Sequence, residues 1–294
     1  MRSTKNLKFL FLFTVIVAIG IFCRQTCYAF ESGTFLLSNG TSLIKCIIKE
    51  NKASLTKDLL NGNEWSYVTW PCYDKKSEAI YFEAENKNYG SNRAVFTLTL
   101  NTSLNSKKVT KVIEGRFPAI SLNGDLLCFY RHPNQLWLLN TKTMDSRILM
   151  SNFANYQPAI WISDKHLLYS DIDNNLIKLD VLSGVAEPTG HKFLIPGALS
   201  PDRKIVLCGS YDGKSITFYH ISTNDVTKIE ESSIFSMGSS FVWSQDSKQF
   251  LCTRQTFSNL IKFNESRALY KYSLNGKRVK LIDRFALLGR ISFK

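Results

Sequence analysis

Hydrophobic and polar positions recur with one rhythm from about residue 60 to the C-terminus. Five segments carry it, beginning at Pro71 (PCYDKKSEAIYFEAE), Pro118 (PAISLNGDLLCFYRH), Pro158 (PAIWISDKHLLYSDI), Pro196 (PGALSPDRKIVLCGS) and Gly238 (GSSFVWSQDSKQFLCTR). Their spacings are 47, 40, 38 and 42 residues. Each segment sets a short apolar stretch, a polar turn with Asp or Asn, and then a strongly apolar stretch. A second alternating stretch follows, as in Gln135–Leu139, Asn175–Asp180, Ser215–Tyr219 and Ala268–Tyr272. A brief one closes the unit, as in Arg147–Met150, Val226–Ile229 and Val279–Ile282. Alternation of period two predicts strands, and helical periodicity is nearly absent beyond the N-terminus. Four strands in each period of about 42 residues is the pattern of a β-propeller blade.

The two ends of the pattern are incomplete. Residues 34–60 read as a partial copy, with strands expected at Phe35–Leu37, Ser42–Ile48 and Ala53–Leu55 and none leading them. Ala286–Phe293 reads as a lone strand without a blade. Joining it to the first three completes a blade and pairs edges that would otherwise template aggregation. The expected fold is therefore all-β: a six-bladed propeller of four-stranded blades, closed by the C-terminal strand. A count of seven stays open if residues 61–117 hold more than one blade.

The turns Ser200-Pro201-Asp202-Arg203-Lys204, Ser121-Leu122-Asn123-Gly124-Asp125 and Ser244-Gln245-Asp246-Ser247-Lys248 resemble the SPDG-K turn of the TolB-like, WD40-like propeller repeat. The resemblance covers about residues 34–294 and is best in the four copies from Pro118 onward. It implies architecture and little about activity. No α/β domain of the kind TolB carries fits between residues 30 and 60, so the resemblance implies no partnership of the TolB type.

The N-terminus departs from the pattern. Arg2, Lys5 and Lys8 precede an apolar run of 14 residues, Phe9–Phe22, and Cys27-Tyr28-Ala29 offers small residues at the −3 and −1 positions of a cut before Phe30. A membrane-spanning helix needs about 20 apolar residues, so the run suits a signal peptide. The expected organisation is a signal peptide at 1–29 and a propeller domain at 30–294, secreted or periplasmic. An uncleaved membrane anchor is the alternative. The chain holds 37 Lys and Arg against 24 Asp and Glu. Removing residues 1–29 takes four cations and no acid, lowering the net charge from +13 to +9.

Export changes how the cysteines are read. Five remain after cleavage: Cys46, Cys72, Cys128, Cys208 and Cys252. An odd number argues against a fully paired disulfide framework. Cys128, Cys208 and Cys252 share one repeat position and read as small buried hydrophobes, while Cys46 and Cys72 could pair across the first two blades.

Candidate chemistry is sparse. Asp74, Asn123, Asp164, Asp202 and Asp246 recur once per unit, which marks turn capping rather than ligation. His132, His166, His191 and His220 lack the spacing of metal ligands, so no metal, cofactor or catalytic residue is assigned. Asp171-x-Asp173-x-Asn175 lacks the glycine and closing acid of a calcium loop. Asn39, Asn101 and Asn264 satisfy the glycosylation pattern at near-chance frequency.

What remains is the ring face, where the loops that begin each inner strand and the loops between the middle strands carry aromatic and cationic residues. Arg116, Arg131, His132, Tyr156, Gln157, Lys192 and Tyr211 are the candidate ligand-binding rim. Such a rim suits a protein, a peptide, or an anionic glycan or lipid headgroup. The expected function is a monomeric, non-enzymatic binding or scaffold module, with no nucleic-acid partner because the protein is exported. The alternative is a metal-assisted lyase or hydrolase acting on an anionic saccharide.

Overall fold

The computed structural model describes residues 34–38, 42–49, 52–60, 63–89, 92–101, 106–153, 158–230, 241–244, 246–257 and 265–286. The expected signal segment and the last eight residues lie outside these. The first strands, β1 (Thr34–Ser38), β2 (Leu43–Lys49) and β3 (Lys52–Asp58), form a three-stranded antiparallel sheet. Five four-stranded meanders follow. Blade I is β4 (Trp65–Asp74), β5 (Ala79–Asn86), β6 (Ala94–Asn101) and β7 (Ser106–Glu114). Blade II is β8 (Arg116–Ile120), β9 (Leu126–Arg131), β10 (Gln135–Asn140) and β11 (Ser146–Met150). Blade III is β12 (Ile160–Trp161), β13 (His166–Ser170), β14 (Asn175–Asp180) and β15 (Ala186–Lys192). Blade IV is β16 (Leu194–Leu199), β17 (Ile205–Ser210), β18 (Ser215–His220) and β19 (Asp225–Glu230). Blade V is β20 (Phe241–Trp243), β21 (Gln249–Phe257), β22 (Glu265–Ser273) and β23 (Arg278–Ala286). Successive inner strands β4, β8, β12, β16 and β20 adjoin one another, which sets the blades around an axis.

The propeller therefore has five four-stranded blades, which corrects the expected six and the open count of seven. Residues 34–58 were expected as most of a sixth blade but supply only three strands, and β1 pairs with β2 alone. The expected closing strand does not start at Ala286: that residue is the end of β23, paired with Ser266 as part of blade V.

Why these residues turn where they do is visible in the hydrogen bonds. The Ser121, Ser200 and Ser244 hydroxyls donate to Asn123, Asp202 and Asp246 at 2.6–2.7 Å. The same oxygens accept the amides of Leu126, Ile205 and Gln249, which open the second strands. Asn123, Asp202 and Asp246 themselves accept the amides of Asp125, Lys204 and Lys248, so each turn's serine and Asp or Asn together satisfy backbone donors that a tight turn would leave unpaired. Asp74 does the same for the Lys76 amide and the Ser77 hydroxyl. Asp171 takes the amides of Asp173 and Asn175 and the Asn175 side-chain amide at 2.8–2.9 Å, closing its own loop.

The core lies between blades, where alternating strands of neighbouring sheets face each other. Trp161 and Trp243 are fully buried and donate their indole N–H groups to Ala119 and Ala198 of the preceding blades, at 2.9 and 3.1 Å. Cys128, Cys208 and Cys252 sit on β9, β17 and β21, and all five described cysteines are buried thiols, Cys46 and Cys72 included. Burial pushes the Cys208 thiol far above its ordinary range, so it stays protonated.

Candidate functional site

Each inner strand runs from the crossing between blades to a polar turn, giving the ring two chemically different ends. At the turn end a cavity of about 410 Å³ opens on the axis, lined from all five blades. Its walls are Ile120, Ile160, Trp161, Leu199, Phe241 and Trp243. Gly197 lets Phe241 close in, since a Cβ there would lie 2.4 Å from the Phe241 ring. The indole bonds of Trp161 and Trp243 hold two walls in place. Tyr73, Lys75, Ser121, Ser200 and Arg203 supply the polar lining, and no carboxylate stands among the described residues that line it. Burial, helped by Glu78 and Asp74, pushes the Tyr73 phenol up to about 12, so it remains an O–H donor. The Ser121 and Ser200 hydroxyls are already committed to their turns. The described lining thus offers hydroxyl donors and two cations, Lys75 and Arg203, over an apolar floor, with the carboxylates of Asp74 and Glu78 near Tyr73.

At the loop end stand the crossings and the middle loops, and with them the expected rim. The register places Arg116 opposite Tyr130 and Arg131 opposite Gln135, at the far end of blade II from Ile120. Arg116 turns inward: its Nε lies 2.9 Å from Glu83, a carboxylate with no exposed surface. Arg93 reaches the same carboxylate at 3.5 Å, and the Phe117 amide donates to it at 3.1 Å. Arg131 donates to the Glu114 carbonyl at 3.2 Å and lies over the Trp137 ring at 4.7 Å. His132, Lys192 and Tyr211 are exposed. Tyr156 and Gln157 fall outside the described residues. The rim is thus divided: its two arginines are held by the fold, while three members point to solvent. Reading the sequence alone missed Glu83, although an acid inside the apolar run Ala79-Ile-Tyr-Phe-Glu-Ala84 was the available signal. It also missed Lys75 and Arg203, which belong to turns that read as purely structural.

Among the described residues, no group of three or more His, Cys, Asp or Glu side chains gathers at metal distance. The histidines are dispersed. His166 meets Ser163 and Asp180, His191 meets the Asn224 carbonyl, and His220 meets Thr227. No described helix is long and apolar enough to cross a membrane.

No protein-family model matches the sequence. No curated protein matches it either. Solved structures do match its fold. TolB from Acinetobacter baumannii superposes with a TM-score of 0.65 at 14% identity, over 88% of this chain and 64% of that one. The chain spans just under two thirds of that TolB. A TolB-type protein from Agrobacterium tumefaciens, whose TolB identity is itself provisional, gives 0.59 at 14% identity, over 83% and 94% of the two chains. An oligogalacturonate lyase in complex with manganese gives 0.56 at 10% identity, over 90% and 77%. Identities this low establish fold alone, and the fold is the β-propeller of four-stranded blades that TolB and WD40-like proteins share.

Proposed function

We propose that this protein is an exported, non-enzymatic binding module that takes an anionic partner at one ring face, with the axial cavity of the turn end as its site. The observation that carries this reading is the cavity lining, which offers Lys75, Arg203 and the Tyr73 hydroxyl over apolar walls and no described carboxylate. A positive mouth above an apolar floor concentrates anions and then buries an attached apolar group. The partner classes that match are acidic peptides or proteins, anionic glycans and anionic lipid headgroups. Export rests on the apolar run Phe9–Phe22 and the cut expected before Phe30, which N-terminal sequencing of the secreted or periplasmic form tests directly.

The binding test uses three probes: an acidic peptide, an oligogalacturonate and vesicles of anionic lipid. One class should bind with an affinity that falls as salt rises, because the contacts are partly exposed charge. The double variant Lys75→Ser/Arg203→Ser should lose most of that binding and its salt dependence while still folding, since exposed charges contribute little stability. Equal binding by the double variant defeats the assignment to this cavity. Turnover of the saccharide, read as new reducing ends, defeats the non-enzymatic reading.

A further inference from the structure

Charge is not spread evenly around the ring. The three-stranded sheet stands between blades V and I: β3 adjoins β23, while Leu36 and Leu43 share a core with Ile80 and Phe96 of blade I. Lys107 of β7 ties the second of these seams, donating to the Asp58 and Leu59 carbonyls at 3.4 and 3.2 Å. The outer strands β23, β3 and β7 therefore follow one another along one flank. By sequence they carry eight Lys or Arg against three acids, Asp283, Asp58 and Glu114. The outer strands of blades II to IV, β11, β15 and β19, carry three against three. With the strands beside them included, residues 43–58, 106–114 and 265–286 hold 13 cations and 5 acids. That is a net +8 out of the +9 left after the expected cleavage, so the rest of the processed chain is nearly neutral.

Lys108, Lys277, Arg278 and Lys280 are exposed on this flank, with Arg278 over the Tyr270 ring at 5.5 Å. Two large apolar side chains are exposed beside the last three. Leu274, in the turn between β22 and β23, is 41% exposed, and Val279, between Arg278 and Lys280, is 47% exposed. Cations interspersed with apolar side chains suit a lipid interface, where the charged heads meet phosphates and the apolar groups enter the boundary below them. A soluble polyanion would pair with the cations but give Leu274 and Val279 nothing to enter. The course of the chain favours the same occupant. Only 11 residues separate Phe22, the end of the apolar run, from Thr34, where β1 opens this sheet. Fully extended they reach roughly 40 Å. Whenever the apolar run lies in a bilayer, as signal or as anchor, this sheet is held close to the bilayer surface.

We propose that β23, β3 and β7 form a basic flank by which the exported protein lies against an anionic lipid bilayer, with Leu274 and Val279 seated at the headgroup boundary. The flank is separate from the axial cavity and works whether or not the cavity is filled.

The test is flotation of the processed chain from Phe30 with vesicles of phosphatidylcholine, with and without phosphatidylglycerol. Every described residue lies beyond Phe30, and the apolar run is absent, so it cannot itself hold the vesicle. Binding should require phosphatidylglycerol and fall as salt rises. Lys108→Ser/Lys277→Ser/Lys280→Ser should lose about fivefold for each cation removed, roughly a hundredfold in all, with an unchanged melting transition. Leu274→Ser/Val279→Ser should also weaken vesicle binding while leaving the charge intact. Lys75→Ser/Arg203→Ser should bind vesicles like the parent, which separates the flank from the cavity. Absence of vesicle binding, equal binding to pure phosphatidylcholine, or undiminished binding by the triple variant overturns the proposal. A loss confined to Lys75→Ser/Arg203→Ser overturns it by assigning the lipid to the cavity. It is overturned too if oligogalacturonate or DNA competes fully with the vesicles and Leu274→Ser/Val279→Ser changes nothing, because the flank then serves a soluble polyanion.

Discussion

The seam between blades II and III and the seam between blades III and IV are built on the same backbone plan, yet they spend their phenylalanines differently. At the first seam Phe153 closes a row of rings that runs from Trp70 through Phe117 and Tyr130 to Tyr169. At the second, Phe193 turns out to meet Tyr211 at the surface. Each phenylalanine amide still donates to the carbonyl of the asparagine that closes the preceding middle loop, Phe153 to Asn134 and Phe193 to Asn174, both at 2.9 Å. Phe193 has a left-handed φ of 59°, but Trp70 and Phe117 lie in the same region at 51° and are buried, so the angle alone does not send a ring outward. A repeat can thus keep its hydrogen-bond frame and still reassign a side chain from core to surface. Repeating folds have this freedom because each blade's frame is set by turns and ladders rather than by any one side chain.

The sharpest way to break the comparison is to truncate both rings. Phe153→Ala removes a buried ring from between Tyr130 and Tyr169 and should cost about 4 kcal/mol in urea denaturation. If it costs as little as the same change at Phe193, the two seams are not different in kind.

The seam between blades I and II sharpens the comparison from another side, because charge holds its crossing. Glu83 accepts from Arg116, Arg93 and the Phe117 amide while fully buried. Glu83→Leu strips all three donors of their partner and should cost about 3 kcal/mol. Removing Arg116 as well, in Glu83→Leu/Arg116→Leu, should return part of that loss, since an apolar pair often replaces a buried ion pair at little cost. Additive losses in the double variant would show that Arg116 and Glu83 are not coupled.

The contrast between these seams also marks what was legible in the chain. The prolines at 71, 118, 158 and 196 and the Ser-x-Asp turns announce the blades, because period-two alternation and turn chemistry are local properties. The blade number was not local. It depended on whether residues 34–58 gain a fourth strand from elsewhere, and they do not within the described structure. Arg116 looked like a rim cation because its partner Glu83 lies 33 residues earlier, on a strand whose inner face no local pattern reveals. Phe193-Leu194-Ile195 reads as one apolar run directly after the rim cation Lys192, so nothing in it shows that Phe193 leaves the core.

Tyrosines at the two seams offer a smaller and pH-dependent contrast. Tyr169, at the sealed seam, has a buried hydroxyl without a partner among the described residues, and burial with Asp171 nearby raises its phenol far above the usual 10.0. A folded-state pKa raised above the unfolded value gives stability that is complete below about pH 10. Stability then falls as pH rises further, because the unfolded chain releases a proton that the folded one retains. Tyr169→Phe should flatten that alkaline decline and be neutral or stabilising by up to about 1 kcal/mol, since it removes an unsatisfied buried group. Denaturation midpoints across pH 8 to 11 measure it (about the range around the free phenol). An alkaline limb as steep in the variant as in the parent removes Tyr169 from the account.

The smallest expected effect is at Phe193 itself, and its smallness is informative. Two terms oppose each other in Phe193→Gly. Relieving a left-handed bulky residue should return about 1–2 kcal/mol. The added freedom of glycine in the unfolded chain should cost about 0.5–1 kcal/mol. The ring buries little, being 55% exposed, so only a modest contact with Tyr211 is lost. The net change should therefore lie within about 0.5 kcal/mol of zero, inside the range of ordinary surface substitutions. Phe193→Ala makes the companion measurement. It gives up the same ring but keeps a Cβ in the strained backbone, so it should be less stable than Phe193→Gly. Equal stability of the two would mean that the left-handed backbone at 193 stores no strain. Phe193 would then be an ordinary exposed residue, and the difference between the seams would lie in packing alone.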